Sequence, residues 1–181
     1  MKIVAVCGSP RKGNTEFMLR KVLEKAKELG AETELILLRE KKIEFCDGCH
    51  GCEGGSGKCS ISDDMNEIRN KLLKADSIVF GSPIYYDGVT GLLKNFIDRT
   101  NPIYGKLRGK KFAFVIVGQL KGEEGELSRK LVVDFLKDIS EIHEMELIDY
   151  VFGVALKPEE IADDEKTIKE LEELGKKIYS E

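Results

Sequence analysis

The chain has 181 residues, 41% of them hydrophobic, and a formal net charge of −4, which suffices for one substantial core and falls short of two comfortable domains. Its basic residues are scattered and nowhere interleave with aromatics, so nucleic acid is not an expected partner, and no apolar run approaches the ~18 residues that span a bilayer. The N-terminal MKIVAVCGSP reads as a first strand and not as a secretory leader, so a single cytoplasmic domain over residues 1–181 is expected.

In chain order, β-branched apolar runs alternate with stretches of helical period, the pattern of an α/β fold around a mainly parallel sheet. Strands are predicted at Ile3–Cys7, Glu32–Leu38, Ser77–Gly81, Phe112–Gly118 and Glu144–Phe152. The first helix is predicted at Thr15–Leu29, with Phe17, Met18, Leu19, Val22, Leu23 and Ala26 as its core stripe and Gly30 as its C-terminal stop. The second opens on Ser62-Asp63-Asp64, good N-cap chemistry, and turns Met65, Ile68, Leu72 and Leu73 inward. Three more are predicted at Thr90–Arg99, Glu124–Ile139 and Asp163–Tyr179. Between the second strand and second helix lies Lys42–Ile61, rich in Gly, Cys and Asp and far longer than the ~2–6 residues usual for such a connection.

Two strand-to-helix loops carry binding chemistry. Gly8-Ser9-Pro10-Arg11-Lys12-Gly13-Asn14-Thr15 runs from the first strand into a helix N-terminus, where backbone N–H groups and a positive dipole end converge on an anion's position. Ser9, Asn14 and Thr15 add donors and Arg11 a charge-assisted one. The loop matches neither the P-loop, which needs Lys at position 14, nor the dinucleotide fingerprint, where Pro10 stands in place of Gly; by itself it also reads as a turn that caps a helix. Gly81-Ser82-Pro83-Ile84-Tyr85-Tyr86-Asp87-Gly88 follows the third strand. In a sheet of order 2-1-3-4-5 the first and third strands meet at the topological switch point, so both loops face one crevice. A flat, phosphorylated ligand fits both halves. Tyr85 and Tyr86 either line that ligand or pack on Leu92, Leu93, Phe96 and Ile97 of the third helix.

GSPRKGNT followed by GSPIYYDGVTGLLKNFIDR resembles the NADPH-dependent FMN reductase branch of the flavodoxin-like superfamily, from residue 1 to about 118. The resemblance implies a flavodoxin-like three-layer sandwich with a five-stranded parallel sheet. It implies that Ser9, Arg11, Asn14 and Thr15 hold the FMN phosphate, and that Pro83, Ile84, Tyr85 and Tyr86 meet the ribityl chain and isoalloxazine. A further family loop after the fourth strand, often with paired glycines, corresponds here to Gly118-Gln119-Leu120-Lys121-Gly122, so Gly118 is carried over and the paired glycines are not.

Four of the five cysteines, Cys46, Cys49, Cys52 and Cys59, spell C-x2-C-x2-C-x6-C inside the long loop. In a reducing compartment such crowding points to metal or redox chemistry and not to disulfides. Thiolates at x2 spacing can wrap one inorganic cluster while the glycines between them turn the backbone. Zinc usually takes two separated C-x2-C pairs, and redox-labile free thiols are the third reading. His50 is expected as an exposed loop residue and Cys7 as a small buried hydrophobe. The combination resembles the archaeal and anaerobic iron–sulfur flavoproteins, which implies a [4Fe–4S] cluster beside FMN, a ferredoxin-type donor, a small acceptor such as a quinone, O2 or peroxide, and a homodimer or homotetramer. The alternatives are a cluster-free NAD(P)H-dependent FMN or quinone reductase, or a flavodoxin-like carrier or zinc-stabilised binding module without turnover.

Overall fold

The computed structural model describes residues 1–53, 58–120 and 122–180, so residues 54–57 of the cysteine loop and Lys121 of the loop after the fourth strand lie outside the description. Among the described residues, β1 (Lys2–Cys7), β2 (Glu32–Leu37), β3 (Ser77–Pro83), β4 (Lys111–Gly118) and β5 (Glu146–Val154) form one sheet of order β2-β1-β3-β4-β5. Every neighbouring pair is parallel, with Ile3 opposite both Thr33 and Ser77, and Lys111 opposite both Ser77 and Glu146.

The side-chain alternation of the strands divides the core into two layers. Ile3, Ala5 and Cys7 of β1, with Val79, Ala113, Val115 and Val117, pack under α1 (Asn14–Glu28) and α5 (Glu165–Ser180). Val4 and Val6, with Ile78, Phe80, Phe112, Phe114 and Ile116, face α2 (Met65–Lys74), α3 (Gly91–Asp98) and α4 (Gly122–Ile142). Strands covered on both faces must be apolar at nearly every position, which is why the central runs were readable without alternation. On the second face Phe80 meets Phe96 and Phe112 edge-on, with ring centroids 5.4 and 5.0 Å apart; each such buried side chain contributes about 1.5–3 kcal/mol.

The element boundaries differ from the expectation where a cap is atypical. Gly30 does stop α1, at φ 105°, but α4 runs on to Ile142 and β5 begins only at Glu146. The reason is a Schellman closure with Glu144 in the left-handed region at φ 54°. Met145 N–H reaches the Ser140 carbonyl at 2.8 Å and Glu144 N–H the Glu141 carbonyl at 3.0 Å. At α2, of the expected capping triplet Ser62-Asp63-Asp64, it is Asp63 and not Asp64 whose side chain meets the start of the helix. Asp64 has helical backbone angles and makes no cap bond; its carboxylate instead accepts the Lys42 N–H at 2.8 Å. Asp63 accepts the Met65 N–H at 3.0 Å.

Candidate functional site

The two loops at the C-terminal edge of β1 and β3 are bonded to each other. Gly8 N–H donates to the Gly81 carbonyl at 2.8 Å, and the Thr90 hydroxyl donates to the Gly8 carbonyl at 2.6 Å. Thr90 also N-caps α3 through Leu93 N–H, and its own N–H donates to Ser82 Oγ at 3.1 Å. Only glycine fits at position 8, because a Cβ there would lie 2.6 Å from Leu93 Cβ. Loop, strand and helix therefore form one rigid rim around the crevice.

The first loop folds tightly. Ser9 Oγ donates to the Arg11 carbonyl at 2.8 Å, and α1 starts after Gly13 without a side-chain cap. Among the described residues no backbone acceptor meets the N–H groups of Asn14, Thr15 and Glu16, so the helix presents them with the positive end of its dipole. Thr15 is buried there and Arg11 exposed. Asn14 is placed differently from its neighbours. Its Nδ2 donates to the Lys157 carbonyl at 2.7 Å and its Oδ1 accepts the Ile161 N–H at 3.1 Å, tying the rim to the segment between β5 and α5.

In the second loop, Tyr85 and Gly88 exchange backbone bonds of 2.9 and 3.0 Å, with Tyr86 and Asp87 between them at φ 48° and 58°. That is a primed two-residue turn, held by non-glycine residues at a cost of about 1–2 kcal/mol each. Neither tyrosine is core: Tyr86 is fully exposed and Tyr85 half-exposed. Ile84 N–H bonds the Val117 carbonyl at 2.8 Å. Ile84, Tyr86 and Gly118 line a common cleft with Gln119, Leu120 and Phe152, while the Ser128 hydroxyl on α4 donates to Asp87.

The cysteine loop leaves β2 at the same edge, and its stem is closed by two acids. Besides the Asp64 bond to Lys42, Asp63 accepts the Glu44 N–H at 2.9 Å. Its carboxylate, 2% exposed, also receives Arg99 Nη1 at 2.7 Å and Nη2 at 3.1 Å. Burial alone would raise the Asp63 pKa, yet the Arg99 guanidinium and the two backbone donors hold it below the usual carboxylate value. Asn95 of α3 donates to the Ile43 carbonyl at 3.0 Å and Arg99 to that of Glu44 at 2.5 Å. Within the loop, Cys46, Cys49, Cys52 and Cys59 line one hollow together with His50, Asp98, Arg99 and Asn101. Asn101 Nδ2 donates to Cys52 Sγ at 3.0 Å, Arg99 Nη2 lies 3.6 Å from Cys59 Sγ, and Cys49 Sγ is 3.2 Å from Ser60 Oγ. All four cysteines line this hollow, but among the described residues no group of three or more Cys, His, Asp or Glu side chains is gathered closely enough to hold a metal ion. N–H donors aimed at sulfur stabilise thiolate, and beside an iron–sulfur group they are among the factors that set its potential. His50 stays on the rim, exposed and 3.0 Å from Glu53, and Cys7 is wholly buried, its thiol pushed up to about 11 by burial.

Sequence reasoning missed Arg99, Asn101, Asn95 and the stem role of Asp63. A lone arginine closing the apolar stripe of α3 was the available signal.

The fold and crevice define a flavodoxin-like α/β domain with its binding loops at the switch point. The chain belongs to the NADPH-dependent FMN reductase family, whose sequence profile matches residues 1–167. It is accordingly an FMN-dependent oxidoreductase. It is 35% identical over 189 aligned residues to an iron–sulfur flavoprotein of Methanocaldococcus jannaschii, covering 98% of this chain and 95% of that one. Another, from Archaeoglobus fulgidus, is 36% identical over 167 residues, covering 91% of this chain and 75% of its relative. In fold it is similar to the NAD(P)H:quinone oxidoreductase of Methanothermobacter marburgensis, with a TM-score of 0.80 at 15% identity over 100% of this chain and 98% of that one. Among the described residues no helix is long and apolar enough to cross a membrane.

Proposed function

We propose that the chain is an iron–sulfur flavoprotein, acting as one cytoplasmic domain in a homodimer or homotetramer and passing electrons from a ferredoxin-type donor to a small acceptor such as a quinone, O2 or peroxide. The observation that carries this reading is the gathering of Cys46, Cys49, Cys52 and Cys59 around one hollow at the edge of the sheet that also bears the two crevice loops. A [4Fe–4S] cluster supplies one-electron and FMN one- or two-electron chemistry, so together they convert single electrons into two-electron reductions.

The chain's own residues supply binding and alignment. The N–H groups at the start of α1, with Ser9, Arg11 and Thr15, hold the FMN phosphate, and Asn14 acts by fixing that turn against Lys157 and Ile161. Pro83, Ile84, Tyr85 and Tyr86 would meet the ribityl chain and ring, next to the cleft that Ile84, Tyr86 and Gly118 line. α3 joins the two centres: Thr90 at its start locks the flavin loops, and Arg99 just past its end carries the cysteine stem.

The NADPH-dependent chemistry of the family favours a second reading, hydride transfer from NAD(P)H straight to FMN without the cysteines. Comparing donors in anaerobic protein separates the two. Reduced ferredoxin should reduce the flavin, and Cys59→Ser should abolish that route while FMN stays bound. Equal ferredoxin-driven rates in parent and variant would overturn the proposal.

A further inference from the structure

Arg99 is 1% exposed, an unusual position for a guanidinium with five donors to satisfy. Nη1 serves the Glu44 carbonyl and Asp63, Nη2 serves Asp63 and faces Cys59 Sγ, and Nε is buried with no partner among the described residues. A second buried guanidinium, Arg69, donates to the Arg99 carbonyl at 3.2 Å and to the Asn66 side chain. Among the described residues, one buried carboxylate, Asp63, stands against these two cations. The other acids on the hollow, Asp47 and Asp98, lie on its solvent side, and Asp98 is paired with Lys94 at 2.6 Å. Among the described residues the carboxylates thus leave one positive charge unmatched in the wall, where both guanidiniums face Cys59, and buried charge without a counter-ion is strongly disfavoured.

We propose that the segment closing α3 is the donor platform of the cluster. Arg99 through Nη2 to Cys59, and Asn101 through Nδ2 to Cys52, are positioning residues that seat these two sulfurs and make the cluster easier to reduce. This rests on the reading of the four cysteines as cluster ligands. An anionic assembly of iron, sulfide and thiolate is the counter-ion that the Arg69–Asp63–Arg99 group lacks. Hydrogen bonds and positive charge toward cluster sulfur favour the more negative, reduced form. The platform reaches Cys52 and Cys59, the two half-buried members of the set, while Cys46 and Cys49 are exposed. Asn101 sharpens the assignment, because its side chain is on the surface and the bond to Cys52 is the one its amide makes among the described residues.

The test uses the full-length, FMN-loaded protein reconstituted anaerobically with iron and sulfide. Arg99→Lys keeps the charge but replaces the planar fork with a single ammonium; Asn101→Ala removes one N–H···S bond from an exposed side chain. Both variants are expected to retain parental FMN content. Asn101→Ala should bind a cluster of more negative midpoint potential that loses iron to a chelator about 10- to 100-fold faster, and Arg99→Lys should assemble substoichiometric iron. Parental chelation rates and parental potentials in both variants would overturn the inference. If Arg99→Lys does not fold, Asn101→Ala decides by the same criterion. A parent chain that assembles no iron would instead refute the underlying cluster reading.

Discussion

Replacing Asp63 with Asn tests the load carried by the cysteine-loop stem. The carboxylate accepts four bonds, from Arg99 Nη1 and Nη2 and from the Glu44 and Met65 N–H groups. An amide has one acceptor oxygen and turns donors toward a guanidinium that is itself all donor. The variant therefore leaves Arg99 charged and buried without its partner, a loss of about 3–5 kcal/mol. For a chain of this size that lowers the melting temperature by about 6–20 °C. The sign of the pH dependence follows from the lowered Asp63 pKa. Its stabilisation is present above the unfolded-state value near 4 and is lost as pH falls through the still lower folded value. Thermal unfolding followed by circular dichroism should show the full gap between parent and Asp63→Asn at neutral pH and a shrinking gap below about pH 4. A gap under about 1 kcal/mol, the scale of an exposed pair, or one that does not change with pH, would show that Asp63 does not hold the stem as a buried ion pair.

Three further outcomes follow from the crevice. Tyr86→Gly should leave stability unchanged or raise it by about 1 kcal/mol, since glycine relieves the left-handed turn, yet weaken FMN retention in a dialysis assay; a large loss of stability would mean that the tyrosine is packed after all. Gly8→Ala should cost about 1–3 kcal/mol by overpacking against Leu93 and loosen FMN with it, as read by denaturant titration and flavin fluorescence. Asn14→Ala orphans the buried Ile161 N–H at a cost of about 1–3 kcal/mol, and the Lys157–Ile161 segment should then become accessible to limited proteolysis under conditions in which the parent resists.

The parallel α/β class was legible because its central strands, apolar on both faces, alternate with helices whose apolar stripes are unbroken; the strand order came with the flavodoxin-like resemblance. The boundary between α4 and β5 was not, because Glu144 occupies a left-handed cap usually marked by glycine. The crevice loops could be placed from strand order alone, and so could their facing one another. The task of Asn14 could not, because its two partners lie 143 and 147 residues away. The cysteines announced themselves by spacing. What surrounds them did not: Arg99 reaches Glu44, Asp63 and Cys59 across 36–55 residues of sequence, and Asp63-Asp64 reads locally as a helix cap while its carboxylates close a stem. Local patterns report short-range capping, and a buried ion pair that joins a loop to a distant helix leaves no such period.

The most direct test of the central claim is the iron and acid-labile sulfide content of strictly anaerobic protein, measured beside its flavin. An iron–sulfur flavoprotein should be brown, with about four irons and four sulfides for each FMN, and Cys59→Ser should lose the iron and keep the flavin. A yellow protein with full FMN and no iron would contradict that claim.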